Sequence, residues 1–310
     1  MRKALILSAA MLLAPAICVG ACGKADSDPP APAGTDPAPG GMPAETGETP
    51  AAAGDPTDPT VQPESLLPDP QNTQVADLPR SIVVDNDLIK ADIKFDEGVF
   101  SFAPAIAMDV VEDARIRLDA MTEDATEYKK ADPEYFRPYG LKIDWIVSGA
   151  SGSLASLEGF QYTYTGGAHG NFMTDGRIYN AMTGDQIQLA DLFIHPEDAV
   201  AGFLDKVYVA IAKEKTARSG DAGSYETFLG EAKDAVSASD ILNGQISLVG
   251  STEDGKLGGF VLHFAPYEIG AYAEGAYHIA VPQADFHDYL KPDYAGLFAG
   301  EPAKLKRPDQ

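Results

Sequence analysis

The sequence predicts an α+β domain, a mostly antiparallel sheet packed with a few helices, preceded by a disordered tether. Three observations carry this. Short runs rich in β-branched and aromatic residues recur near both ends of residues 81–310. Between them, two long segments repeat apolar residues at helical spacing. Residues 23–80, by contrast, hold 13 prolines in 58 positions and few large apolar side chains before Leu66 and Leu67.

The N-terminus reads as an export signal over residues 1–21. Arg2 and Lys3 precede an apolar run over 4–17, and Val19, Gly20, Ala21 and Cys22 close it. A basic start, a short apolar run and small residues before a cut describe a signal peptide, and the run is shorter than the ~20 residues that span a bilayer. The closing residues resemble the lipobox of bacterial lipoproteins. That resemblance implies lipid on the Cys22 thiol and membrane anchoring; with Gly23 following, it implies the outer membrane facing the periplasm in a Gram-negative host. Cys18 and Cys22 are the two cysteines of the chain, so the folded part has no disulfide, thiol nucleophile or Cys-based metal site available.

Residues 22–80 then form a lipidated cysteine and a Pro/Ala-rich linker. Such a composition cannot bury enough apolar surface to offset chain entropy. As a coil it would span roughly 45 Å, and as extended polyproline II about 180 Å. Residues 81–310 carry 37 acidic and 19 basic side chains, a net charge of −18. That balance argues against nucleic acid as a partner and favours basic ones.

Along the domain, strands are expected at 81–84, 88–95 and 99–102. A helix is expected over 107–129, with Val110, Val111, Ala114, Leu118, Met121 and Ala125 on one face. Strands at 141–148, 156–165 and 171–180 follow; the second places Phe160, Tyr162 and Tyr164 on one face. Helical stretches are expected at 189–193, 197–213 and 225–236, then strands at 245–249, 260–264 and 276–281, and a short helix over 286–290.

Two strings stand out as candidate binding elements. Tyr162, Thr163 and Tyr164 run through Thr165 into Gly166, Gly167, Ala168 and His169: an aromatic strand, a glycine turn suited to positive φ, then a histidine. His169 could act as ligand or base, with Asp175 nearby in sequence, but a lone His and Asp make no recognised motif. The second string runs from Phe264 to Gly275 and places Tyr267 and Tyr272 in a loop between strands. Tyrosines there suit a contact surface or a packed loop equally. His195, His263, His278 and His287 read as isolated, so no metal site and no cofactor are expected.

These strings resemble a pair of extracytoplasmic modules. Tyr162 to His169, then Asn180 to Asp185 and Leu189 to Phe193, are similar to their shared core, while Pro266 to Gly270 and Gly275 to Pro282 are similar to their end. The modules occur in peptidoglycan deacetylases of the PdaC type and in lysozyme-binding anti-sigma factors of the RsiV type. The resemblance implies a PdaC-like module over 81–165, an RsiV-like module over 166–295 and a tail over 296–310. Gly170 stands where the family pattern has proline, and no catalytic residue carries over. The expectation is a non-enzymatic envelope binding protein for peptidoglycan or a basic wall-active protein such as lysozyme. Its candidate contacts are Tyr162, Tyr164, His169, Tyr267 and Tyr272; the rival reading is a hydrolase or deacetylase acting near His169.

Overall fold

Strands β1 (Ser81–Asp85) and β2 (Ile89–Phe95) pair as a hairpin because the Asn86 side chain accepts the N–H groups of Leu88 and Ile89, an Asx-type turn. The computed structural model describes residues 75–305. The expected signal peptide, the lipidation site Cys22 and most of the linker lie outside the described residues. At their start, Leu78 is already buried. Arg80, its guanidinium 3.5 Å from the Phe100 ring centroid, donates to the Val75 and Leu78 carbonyls, so 75–80 is tied to the domain although the sequence placed it in the linker.

The fold is α+β. A six-stranded sheet runs in the order β1-β2-β3-β4-β5-β6, with β3 at Tyr139–Ser151, β4 at Leu154–Tyr164, β5 at Asn171–Asn180 and β6 at Gln186–Ile187. Its one parallel pair, β2 with β3, is joined through α1 (Pro104–Ala131), since a parallel partner needs a crossover. A second sheet holds β7 (Gln245–Gly250), β8 (Leu257–Phe264) and β9 (Tyr277–Pro282), all antiparallel. The remaining helices are α2 (Pro196–Ser219), α3 (Tyr225–Ala235), α4 (Ala238–Asn243) and α5 (Pro292–Ala295).

One expected strand differs from this, two expected helical segments are of the 3-10 kind, and one helix was not foreseen. The strand expected at 99–102 is a 3-10 turn, Glu97–Ser101, because the Asp96 carboxylate captures the Gly98 N–H. The segments expected as helical at 189–193 and 286–290 are short 3-10 helices, Leu189–Leu192 and His287–Tyr289. Helix α4 was not foreseen; a capping box between Ser237 and Asp240 starts it. Strands β4 and β5, on either side of residues 165 and 166, pair in one sheet from Leu154↔Asn180 to Thr163↔Asn171.

Side-chain parity separates two cores. Ile143 and Trp145 of β3, Leu157 of β4 and Tyr179 of β5 face α1, where Ile106, Val110, Val111 and Ala114 are fully buried. Leu154 and Ile178 point the other way, into a core built by Phe203 and Val207 of α2, Ile241 of α4, and Leu248, Phe260 and Ile279 of the second sheet. Each large apolar side chain so enclosed contributes about 1.5–3 kcal/mol.

Between these cores the backbone of β7 lies close against the six-stranded sheet. A Cβ on Gly149 would meet Gly250 N at 2.8 Å, and one on Gly176 would meet the Ile246 carbonyl at 2.4 Å. Ser156 Oγ accepts the Leu248 N–H at 2.8 Å. An edge strand is thereby covered by another sheet, its outward N–H satisfied.

Candidate functional site

Period-two alternation puts Phe160, Tyr162 and Tyr164 of β4 on the face that β7 leaves open, with Phe172 of β5 opposite Tyr162. The 265–276 loop, between β8 and β9, folds back onto this face. It brings Tyr272 to His169, ring centroids 4.0 Å apart and planes 28° from parallel. Tyr272 also meets Phe172 edge-on at 6.1 Å and Tyr267 at 5.5 Å, and Phe172 meets Phe160 at 6.4 Å. The Tyr272 hydroxyl donates to the Gly170 carbonyl at 2.5 Å. Tyr272 is the hub of an aromatic platform.

The glycine turn makes room for it. Gly166 takes a positive φ of 90°, as the sequence suggested. Gly170 is required for a different reason: a Cβ there would lie 2.3 Å from Cζ of Tyr162, so a proline at this position would displace that ring. Tyr162 is 37 % exposed and Tyr267 65 % exposed. Tyr267, at φ 76°, is the one non-glycine residue with positive φ among the described residues, a conformation that costs of order 1–3 kcal/mol. Of the five residues singled out from sequence, His169, Tyr267 and Tyr272 meet here ring to ring, and Tyr162 lies beside them against Gly170. Tyr164, half-buried opposite Gly140 at the end of β4, makes none of these ring contacts.

His169 is exposed. One ring face lies on Tyr272, and its Nδ1, 3.1 Å from the Gly170 carbonyl oxygen, must donate there. Catalysis at this ring would need an oriented carboxylate or a nucleophile. Asp175, the acid nearest in sequence, points to the opposite face of β5 and binds Arg177 at 2.6 Å and Arg117 at 3.4 Å. Among the described residues no group of three or more His, Cys, Asp or Glu is placed to hold a metal ion.

The loop that carries Tyr267 and Tyr272 is braced by the end of α2. Lys215, buried, donates to the Ile269 carbonyl at 2.8 Å and pairs with Glu231 and, at 3.6 Å, with Glu274. Arg218 donates to the Glu274 and Ala276 carbonyls and lies over the Tyr277 ring. Burial would raise the Glu274 carboxyl, but the Tyr277 hydroxyl, the Ala271 N–H and Lys215 outweigh it and hold its pKa below the ordinary value. A depressed carboxylate contributes stability above its unfolded pKa, about 4.3, and loses it as pH falls through the lower folded value. Acidification below about pH 4 should therefore lower the protection of the amides in 265–276, measured against their intrinsic exchange rates at each pH, and Glu274→Gln should flatten that dependence. Equal pH profiles in the two proteins would remove Glu274 as the cause.

A second polar group was invisible in sequence. His263 and His278, read there as isolated, face each other across β8 and β9 with Nδ1 atoms 2.8 Å apart. Ser247 Oγ, 2.9 Å from His263 Nε2, donates to Glu158 Oε1 at 2.7 Å. With neutral rings one set of directions satisfies all three bonds: His278 Nδ1–H to His263, His263 Nε2–H to Ser247, Ser247 to Glu158. These are residue types of a hydrolytic triad, but the serine stands between acid and histidine and is fully buried between the sheets. Their position clamps one sheet to the other.

A family model described as Deacetylase PdaC matches residues 82–172, from β1 into the start of β5. Residues 82–172 form a PdaC-like module. The PdaC-like module covers less than half of the chain and supplies Phe160, Tyr162, His169 and Phe172 to the platform; Tyr267 and Tyr272 come from beyond it. No curated protein matches the chain. Among solved structures, a DUF3298 family protein from Pseudomonas aeruginosa PAO1 is similar at 16 % identity, covering 69 % of this chain and 88 % of that one, with a TM-score of 0.44. A member of the same family from Bacteroides fragilis NCTC 9343 is similar at 16 % identity, covering 70 % and 95 %, with a TM-score of 0.43.

Proposed function

We propose that the chain is an exported, non-enzymatic binding module of the cell envelope, anchored through lipid on Cys22, that recognises a wall glycan on its aromatic platform. The observation that carries this is the convergence of His169, Phe172, Tyr267 and Tyr272 on an open sheet face. Aromatic faces carry negative partial charge, and the C–H groups on one face of a pyranose carry positive partial charge, so rings of this kind stack on sugars. Tyrosine supplies such area at low entropy cost. The acidic charge also suits a basic wall-active protein, but attraction of that kind needs no rings and fades with salt.

Titration of the full chain with soluble N-acetylated wall-glycan oligomers, at low and moderate salt, tests the reading. Saturable binding that persists in salt is expected, and Tyr272→Ala should weaken it about tenfold, the scale of one lost aromatic stack. Absence of binding overturns the reading. So does binding that salt abolishes and Tyr272→Ala leaves unchanged.

A further inference from the structure

The 265–276 loop serves two surfaces. Tyr267 and Tyr272 belong to the platform, while Glu268 and Ile269 line a cavity of about 460 Å³ at the end of β8 beside α3 and α4. That volume lies in the range of small-ligand sites. Its polar wall is formed by Asp240, Glu268, Asn243, Gln245 and His263, with Phe264 among its apolar side chains. We propose, resting on the glycan reading above, that this cavity receives a protonated primary amine of the same ligand, so that the substrate class is a glycan bearing unacetylated amino sugars.

Two carboxylates favour a cation there. Asp240 accepts both bonds from Ser237 on Oδ2, which leaves Oδ1 for a ligand. The Ser237 hydroxyl and N–H hold its pKa below the ordinary value, so the group is charged near neutrality. Glu268 turns its carboxyl back to accept the Ala265 N–H on Oε2 at 2.9 Å, leaving Oε1. Glu268 keeps an exposed edge, and partial desolvation still raises its pKa, only partly opposed by that N–H; an ammonium beside it would offset the hydration lost. Among the described residues no lysine or arginine lines the cavity. An anionic ligand such as a phosphate would meet both carboxylates and a domain of net charge −18. An acetylated amine would bring neither charge nor three donors.

The test compares two probes on the full chain in a mildly acidic buffer: a β-linked glucosamine hexamer and the fully N-acetylated hexamer. The glucosamine oligomer is expected to bind about tenfold tighter, the scale of one charge-assisted hydrogen bond. Glu268→Gln, whose amide oxygen can still accept from Ala265, should bring the two affinities together without weakening the acetylated oligomer. Fluorescence of Trp145, the single tryptophan, reports whether that variant is folded. If both hexamers bind equally and Glu268→Gln is silent, the inference fails while the platform reading stands. If the preference survives Glu268→Gln, general electrostatic attraction explains it and the cavity is not the amine site. If neither binds, both readings fall.

Discussion

Arg177→Met should lower the unfolding free energy by about 3–5 kcal/mol, the scale for removing one partner of a buried ionic network. Arg177 leaves β5 toward α1 and pairs with Asp175 at 2.6 Å, Asp109 at 2.9 Å and Asp113 at 3.1 Å. Its guanidinium also lies 4.8 Å from the Trp145 ring centroid. Burial alone would lower its pKa, but Asp175, Tyr179 and Asp113 together raise it well above the ordinary arginine value. Methionine keeps the length and loses the charge. It would leave Asp175 and Asp113 with Arg117 as their remaining described cation. The Tyr179 hydroxyl, which donates to Asp109 at 2.6 Å, has its own pKa raised by burial and by that carboxylate. Urea unfolding followed at Trp145 measures the change. A loss below about 1 kcal/mol, the ceiling for an exposed pair, would show the network to be ornamental.

Gly176→Ala is expected to cost about 1–3 kcal/mol, the range for overpacking a closed interface. The added Cβ would lie 2.4 Å from both the carbon and oxygen of the Ile246 carbonyl, and backbone in a paired strand cannot swing aside as a side chain does. Either β7 moves off the six-stranded sheet or β5 distorts. Gly230→Ala should act in the opposite direction. Gly230 lies exposed inside α3 with nothing within 4 Å of its Cβ position, so alanine should stabilise by about 0.5–1 kcal/mol. Thermal unfolding of the two variants separates the accounts. No loss of stability in Gly176→Ala would mean that β7 does not approach as closely as described.

Much of the secondary structure was legible because its determinants are local. The 3.6-residue spacing of Val110, Val111, Ala114 and Leu118 specified α1 and its buried face, and that of Val200, Phe203, Val207 and Ile211 did so for α2. Alternation put Phe160 and Tyr162 on one side of β4. The segment expected as a strand at 99–102 was misread because Val99 and Phe100 suggest a strand, whereas one Asp96 side-chain bond to Gly98 decides the turn. The glycine turn after residue 165 joins the paired neighbours β4 and β5.

The platform was half legible. Its tyrosines and His169 drew notice as unusual strings, yet nothing local shows that residue 272 returns to residue 169. The Glu158, Ser247, His263 and His278 chain was not legible at all. Its members are separated by up to 120 residues, and only the β8–β9 register and the crossing of β7 over β4 bring them together. A sign did exist in Ser247 and His263, polar residues within otherwise apolar strands, but it does not name their partners.

By itself the sequence determined that residues 81–310 fold as an acidic α+β domain and where its main helices and strands run, since periodicity, turn residues and net charge are properties of neighbouring positions. The tertiary structure alone decided which aromatic rings form a surface, which acids are spent on Arg177, and which remain to line a cavity. Those outcomes depend on strand register and on close approaches at Gly170 and Gly176, where space between distant segments, not local preference, sets what can meet.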